Sequence, residues 1–215
     1  MLTLQNSWYE DGHHFVRWRP VSQGLLRSAK LSLGAQLKSY LSLRCTHVKG
    51  RGGAKATVRF AQVMAGQYRY VARFDIRSYY ESMDHAVLLK LLEDAGINAE
   101  SYALVQDYLS LPDMKSTGCG MVAGGSISPL LGAVYLTPLD RAIEQLQPRH
   151  DIRYQRFMDE YFNGFFTVRK EEQHFVAATM IFQRFTGRHE VWIGVADVVE
   201  KIGQDGEADF FFDVR

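Results

Sequence analysis

Residues 151–168 read DIRYQRFMDEYFNGFFTV, two runs rich in aromatic and β-branched residues on either side of Met158-Asp159-Glu160. Such runs favour extended backbone, and the polar break between them is a hairpin signal, with carboxylates where Asn-Gly is usual. Upstream, residues 68–76 (YRYVARFDI) alternate bulky and basic residues and predict a strand with Asp75 near its end. Asp75 lies 84 residues before Asp159, so only tertiary folding can unite them. Carboxylates on two adjacent strand edges make an oxygen-rich site suited to a hard cation such as Mg²⁺. Two such ions, ~3.5–4 Å apart, serve phosphoryl transfer. The plainer alternative is a set of solvated turn carboxylates.

The rest of the chain frames these strands. Residues 25–44 (LLRSAKLSLGAQLKSYLSLR) space apolar residues at three- and four-residue intervals and predict an amphipathic basic helix. In THVKGRGGAKATVRFAQVM, residues 46–64, Gly50, Gly52 and Gly53 sit among Lys49, Arg51 and Lys55, and a helical pattern follows. A glycine-rich basic loop opening a helix can offer backbone N–H groups and cations to phosphate, although the Walker spacing is absent. A surface loop is the other reading. SYYESMDHAVLLKLLEDAG (78–96) predicts a turn into a helix ending at Gly96, ESYALVQDYLSL (100–111) a further helix, and Pro112–Ser116 a break. GCGMVAGGSISP (118–129) is a second glycine-dense loop, with Ser128 as expected N-cap and Pro129 as first helical residue of LLGAVYLTPLDRAIEQL. Residues 169–186 predict a helix, and short strands with turns at Gly203–Gly206 follow.

The 215 residues, 47% hydrophobic, suffice to bury a core and exclude a disordered or collagen-like chain. Two cysteines, Cys45 and Cys119, are too few for a disulfide framework and imply a reducing compartment. The opening MLTLQNSWYEDGHHF lacks a signal-peptide pattern, and no apolar run approaches the ~18 residues of a membrane span. A cytoplasmic protein is therefore expected. The net charge of +1 is uneven: residues 1–70 carry 11 Lys and Arg against 2 Asp and Glu, and the remainder carries 14 against 22. That split suggests a polyanion-facing surface joined to a carboxylate-rich site, or two solvated faces that merely differ.

Three segments in order, FDIRSYYESMDH, GMVAGGSISPLLGAVYLTPLD and IRYQRFMDEYFNGF, resemble the palm motifs of bacterial reverse transcriptases of the retron and group II intron type. The resemblance covers roughly residues 45–215 and is most specific over 118–140. It implies an α+β fold, a right-hand polymerase palm (antiparallel sheet with helices on one face) plus partial fingers. Residues 1–66 would form an N-terminal basic region with partial fingers, and 67–215 the palm with interleaved fingers elements.

The resemblance implies an RNA-directed DNA polymerase that adds deoxynucleotides to a primer 3′-hydroxyl, using two Mg²⁺ ions or Mn²⁺ in their place. Asp75, the Ile76 carbonyl, Asp159 and Glu160 would hold the metal. Tyr80 would lie under the incoming sugar and exclude a 2′-hydroxyl, its alternative being a core aromatic; Gly124 and Gly125 would let the backbone approach the nucleotide. Lys49, Arg51 and Arg59 would contact triphosphate or template backbone, and Asp140 is read as structural, a helix salt-bridge partner. RNA template, DNA primer and deoxynucleoside triphosphates are the implied partners.

The chain also departs from the motifs. Phe157 replaces the hairpin Tyr, Glu160 the second Asp, and Val122-Ala123 the usual Pro-Gln pair. EKIGQDGEADFFFDVR only faintly resembles the following segments, and no thumb is expected from this sequence, so a partner protein or missing domain would supply one. Weak or absent catalysis, or a non-catalytic or truncated relative that binds nucleic acid or a partner, is the alternative.

Overall fold

The computed structural model describes residues 1–10, 13–65, 67–74, 79–111, 118–148, 152–158, 162–169, 180–183 and 190–193. Asp75, Ile76, Asp159 and Glu160 lie outside them. The chain forms two compact units, each drawn from two stretches: Met1–Ser42 with Ser78–Thr137, and Leu43–Arg77 with Pro138–Arg215. Helices and small antiparallel sheets together make an α+β fold.

The first unit opens with an antiparallel hairpin, β1 (Leu4–Glu10) and β2 (His13–Trp18), paired from Glu10↔His13 to Leu4↔Trp18. Helix α1 follows over Pro20–Gln36 instead of 25–44. Pro20 starts it, because a first-turn proline surrenders only an N–H that has no helical partner. Its last residue, Gln36, donates to Ser101 Oγ at 2.9 Å and accepts from Asn98 N at 2.7 Å, joining α1 to the start of a later helix. Gly34 sits inside α1 without breaking it.

Helices α3 and α4, also in this unit, have conventional caps. In α3 (His85–Asp94), Asp84 accepts from Val87 N at 3.0 Å; in α4 (Ala99–Ser110), Asn98 accepts from Ser101 N at 2.9 Å. Gly96 takes φ 72° just beyond α3, as its place at the helix end required. Leu26, Leu33, Leu88, Leu92, Val105 and Leu131 make a buried apolar core.

The run from 130 to 146 is two helices, not one: α5 (Ser128–Tyr135) and α6 (Thr137–Leu146). Pro138 has no N–H, and its ring collides with a carbonyl one turn back in a continuous helix. The Thr137 hydroxyl instead donates to the Ala133 carbonyl at 2.9 Å. The cap of α5 is Ile127, not Ser128, whose hydroxyl is used elsewhere in the loop.

In the second unit, α2 (Gly53–Ala65) lies against a three-stranded antiparallel sheet of order β3-β5-β4. Its strands are β3 (Tyr68–Phe74), β4 (Ile152–Met158) and β5 (Phe162–Arg169), and β4 and β5 pair antiparallel as the expected hairpin requires. Within the stretch expected to be helical, Met180–Gln183 is a strand, β6, paired with β7 (Glu190–Ile193). The pair runs from Met180↔Ile193 to Gln183↔Glu190, and the apolar, β-branched and aromatic residues of this stretch favour extended backbone over the helical spacing read there. The other residues of 169–186 after Arg169, Pro112–Ser116 and Gly203–Gly206 lie outside the described residues.

Candidate active site

Strand β5 is central, and β3 and β4 both run antiparallel to it. They are therefore parallel to each other and end at the same edge of the sheet. Phe74, the last residue of β3, pairs with Gly164, and Met158, the last of β4, pairs with Phe162, two positions away on the same strand. The next residues in the chain are Asp75 and Asp159.

A third segment leaves toward that edge. Cys45 forms a parallel bridge with Arg156, with Arg156 N donating to Arg44 O at 2.9 Å and Thr46 N donating to Arg156 O at 2.8 Å. Because the pairing is parallel, the chain beyond Thr46 continues in the direction of Met158. The His47 ring meets Phe157 edge-on, centroids 6.3 Å apart.

The glycine-rich loop then returns on itself: Arg51 N donates to Val48 O at 3.1 Å, and Gly53 N to Thr46 O at 3.0 Å. Thr46 and Thr57 hydroxyls meet at 2.7 Å, clamping the loop to α2. Gly52, at φ 89°, is required twice over, because a Cβ there would fall 2.5 Å from the Ala56 Cβ. Lys49 and Arg51 thus sit on a loop anchored beside the end of β4. Arg59 is two turns into α2 and lines a different surface, a cleft of about 430 Å³ with Arg44, Phe60, Val63, Met64 and Gln155.

Beneath β4 lies a charged cluster. Arg156, fully buried, donates from Nε to Asp140 Oδ1 at 2.9 Å and from its terminal nitrogen to Asp140 Oδ2. The Tyr154 hydroxyl donates to the same Oδ1 at 2.8 Å. Burial works against the guanidinium charge, but the Asp140 carboxylate outweighs it, so Arg156 holds its proton more tightly than a free arginine. Burial first, and the Asp140 charge second, push the Tyr154 phenol well above its usual range. Burial also raises the Cys45 thiol to about 11 despite the nearby Arg156 cation. Asp140 is structural, as the sequence suggested, though its partner is on a strand. Arg156 carried a signal: a cation in a run of strand-forming residues, two positions from Tyr154, needs a buried anion.

In the first unit, Tyr80 and the second glycine loop are brought together. Asp84 bridges Cys119 in antiparallel sense; Gly120 N donates to Met83 O and Met121 N to Tyr80 O, both at 2.8 Å. The Tyr80 side chain is 8% exposed, its ring 5.7 Å from that of Tyr79. Hairpin strand β2 supports the loop, with Ala123 N donating to His14 O at 2.8 Å. Gly124 adopts φ 80°, a conformation that favours glycine. A Cβ on Gly125 would fall 1.6 Å from the Tyr108 hydroxyl oxygen, so packing alone demands glycine there. Sequence reading had no signal for Tyr108, since the contact joins separate helical and loop segments.

The chain matches the family described as Reverse transcriptase (RNA-dependent DNA polymerase) over residues 16–189. It belongs to the reverse transcriptase family, and so is an RNA-directed DNA polymerase by family, a class that uses divalent metals, a primed template and nucleotides. Comparison with curated proteins found no match. Among the described residues, no helix is long and apolar enough to cross a membrane.

Proposed function

We propose that this chain is a cytoplasmic reverse transcriptase of the bacterial retron and group II intron type, extending a DNA primer on an RNA template. One observation carries the reading of its centre: β3 and β4 end at one edge of the sheet, two β5 positions apart, immediately before Asp75 and Asp159. The donors in question, Asp75, the Ile76 carbonyl, Asp159 and Glu160, are all hard oxygens, a set that fits Mg²⁺, with Mn²⁺ as substitute. Bound there, the metal would supply positive charge for the primer hydroxyl and the phosphate oxygens.

The chain's other residues then have defined tasks. Lys49 and Arg51 offer cations to triphosphate or template phosphates from an anchored loop, and Arg59 offers one from α2. Tyr80 excludes a ribose 2′-hydroxyl by occupying its space. Gly124 presents bare backbone to the nucleotide, and Gly125, closely packed on Tyr108, lets the chain make that approach. Catalysis is slow, because Glu160 sets its carboxylate one methylene further out than Asp, and Ala123, 5% exposed, supplies no side-chain amide.

Primer extension on poly(rA)/oligo(dT) with Mg²⁺ or Mn²⁺ tests this. The expected result is slow extension, abolished by Asp75→Ala and accelerated by Glu160→Asp. Extension that survives Asp75→Ala overturns the assignment of the centre. A second reading, nucleic-acid binding without catalysis, is favoured by the basic N-terminal third; salt-sensitive binding with no extension in either metal decides for it.

A further inference from the structure

We infer that Tyr108 is the positioning residue that sets the conformation of the loop Val122–Ser128; that the loop meets a nucleotide rests on the reading above. Tyr108 sits on α4, completely buried, its ring stacked on Trp18 with centroids 5.4 Å apart and planes 22° from parallel. Its hydroxyl reaches Ser128 Oγ at 2.5 Å. Ser128 Oγ donates to the Val122 carbonyl at 2.9 Å. A serine hydroxyl has one proton, so with that proton committed to Val122, Tyr108 must donate and Ser128 must accept. Burial raises the Tyr108 phenol above its usual range, which keeps that proton in place.

The same hydroxyl oxygen occupies the space of a side chain at position 125. A Cβ there would lie 1.6 Å from Tyr108 Oη, and 2.8 Å from both Tyr108 Cζ and Ser128 Oγ. One phenol thus fixes both ends of the loop: through Ser128 it holds the Val122 carbonyl, and through contact it restricts position 125 to glycine. With Ala123 N on the His14 carbonyl and Ser128 N on the Gly125 carbonyl (3.2 Å), the loop is held at each turn. The phenol itself stays in the core, so it acts on any ligand only through the backbone of residues 122–125.

Tyr108→Phe removes the hydroxyl and keeps the ring on Trp18. Amide hydrogen exchange of the full chain is expected to quicken about fivefold or more over 122–128 while α3 and α4 stay protected as before. Titration with a fluorescent deoxynucleoside triphosphate should weaken roughly three- to tenfold, and that loss of affinity is the readout for the loop. Gly125→Ala alone should weaken binding more than about tenfold, and adding Tyr108→Phe should restore part of that loss, since the hydroxyl is the first atom the new methyl meets. Unchanged exchange over 122–128 in Tyr108→Phe, or losses that simply multiply in the double variant, overturns the inference. A wild-type chain that binds no nucleotide overturns the functional reading instead, and the exchange experiment still decides the role of Tyr108.

Discussion

Arg156 on β4 and Asp140 on α6 form an ion pair with neither side chain accessible to solvent. The pair joins the strand that leads into Asp159 to a helix sixteen residues earlier, and Tyr154 closes it with a third hydrogen bond. Two buried charges gain from each other while each remains costly alone. Asp140→Ala should therefore destabilise the chain by about 3–5 kcal/mol in urea melts, because it strands a buried guanidinium. Asp140→Leu combined with Arg156→Met should recover most of that loss. A single Asp140→Ala that melts like the parent would show that the guanidinium finds water.

Cys45 connects the same cluster to pH. Burial raises its thiol to about 11, from 9.0 for an unburied thiol, so the folded chain keeps a proton that the unfolded chain gives up first. The sign follows: this contribution is complete below pH 9.0 and is lost as pH rises to about 11. Two units correspond to roughly 3 kcal/mol. Stability measured from pH 8 to 11 should fall by that order, and Cys45→Ala should flatten the fall. At pH 8 a disulfide reagent should label the half-buried Cys119 quickly and Cys45 only after denaturation.

Two glycines should respond in opposite directions to the same substitution. Gly52→Ala forces a Cβ to 2.5 Å from Ala56 Cβ at φ 89° and should cost about 1–3 kcal/mol. Gly34 lies inside α1, and beyond the helix's own backbone a Cβ there would meet nothing within 4 Å, so Gly34→Ala should stabilise by about 0.5–1 kcal/mol. Thermal melts of both variants check the pair; a neutral Gly52→Ala would mean that the phosphate-loop candidate is not held as described.

How much of this was legible in the sequence depended on whether the signal was local. The 152–158 and 162–169 runs announced their hairpin, because strand preference and a polar break act over a few residues. The β1–β2 hairpin was legible too, since Asp11-Gly12, a dipeptide favoured in two-residue hairpin turns, sits between the paired Glu10 and His13, but no element was read there. Pro138 marked the break between α5 and α6, and the apolar periodicity across it concealed that mark. The Cys45–Arg156 bridge and the Tyr108–Gly125 contact left no pattern, because a single bridge or a steric contact across the chain has no period. The candidate carboxylates were proposed from motif order, and the register of β5 adds only that the strands preceding Asp75 and Asp159 end two β5 positions apart.

That edge also sets what Lys49 and Arg51 should do. The segment 44–46 runs parallel to β4, so the loop carrying both cations continues toward the end from which Asp159 follows. Cations held on an anchored loop contribute to polyanion binding by releasing counterions, whatever the base sequence. Lys49→Gln with Arg51→Gln should weaken binding of a primed template and lower the slope of log K against log salt by about 1–2, uniformly across template sequences. Arg59→Gln, on the separate α2 cleft, provides the contrast: its loss should be smaller at the primer terminus. Equal slopes for the parent and the double variant, measured by fluorescence anisotropy between low and moderate salt, would remove this loop from the nucleic-acid interface.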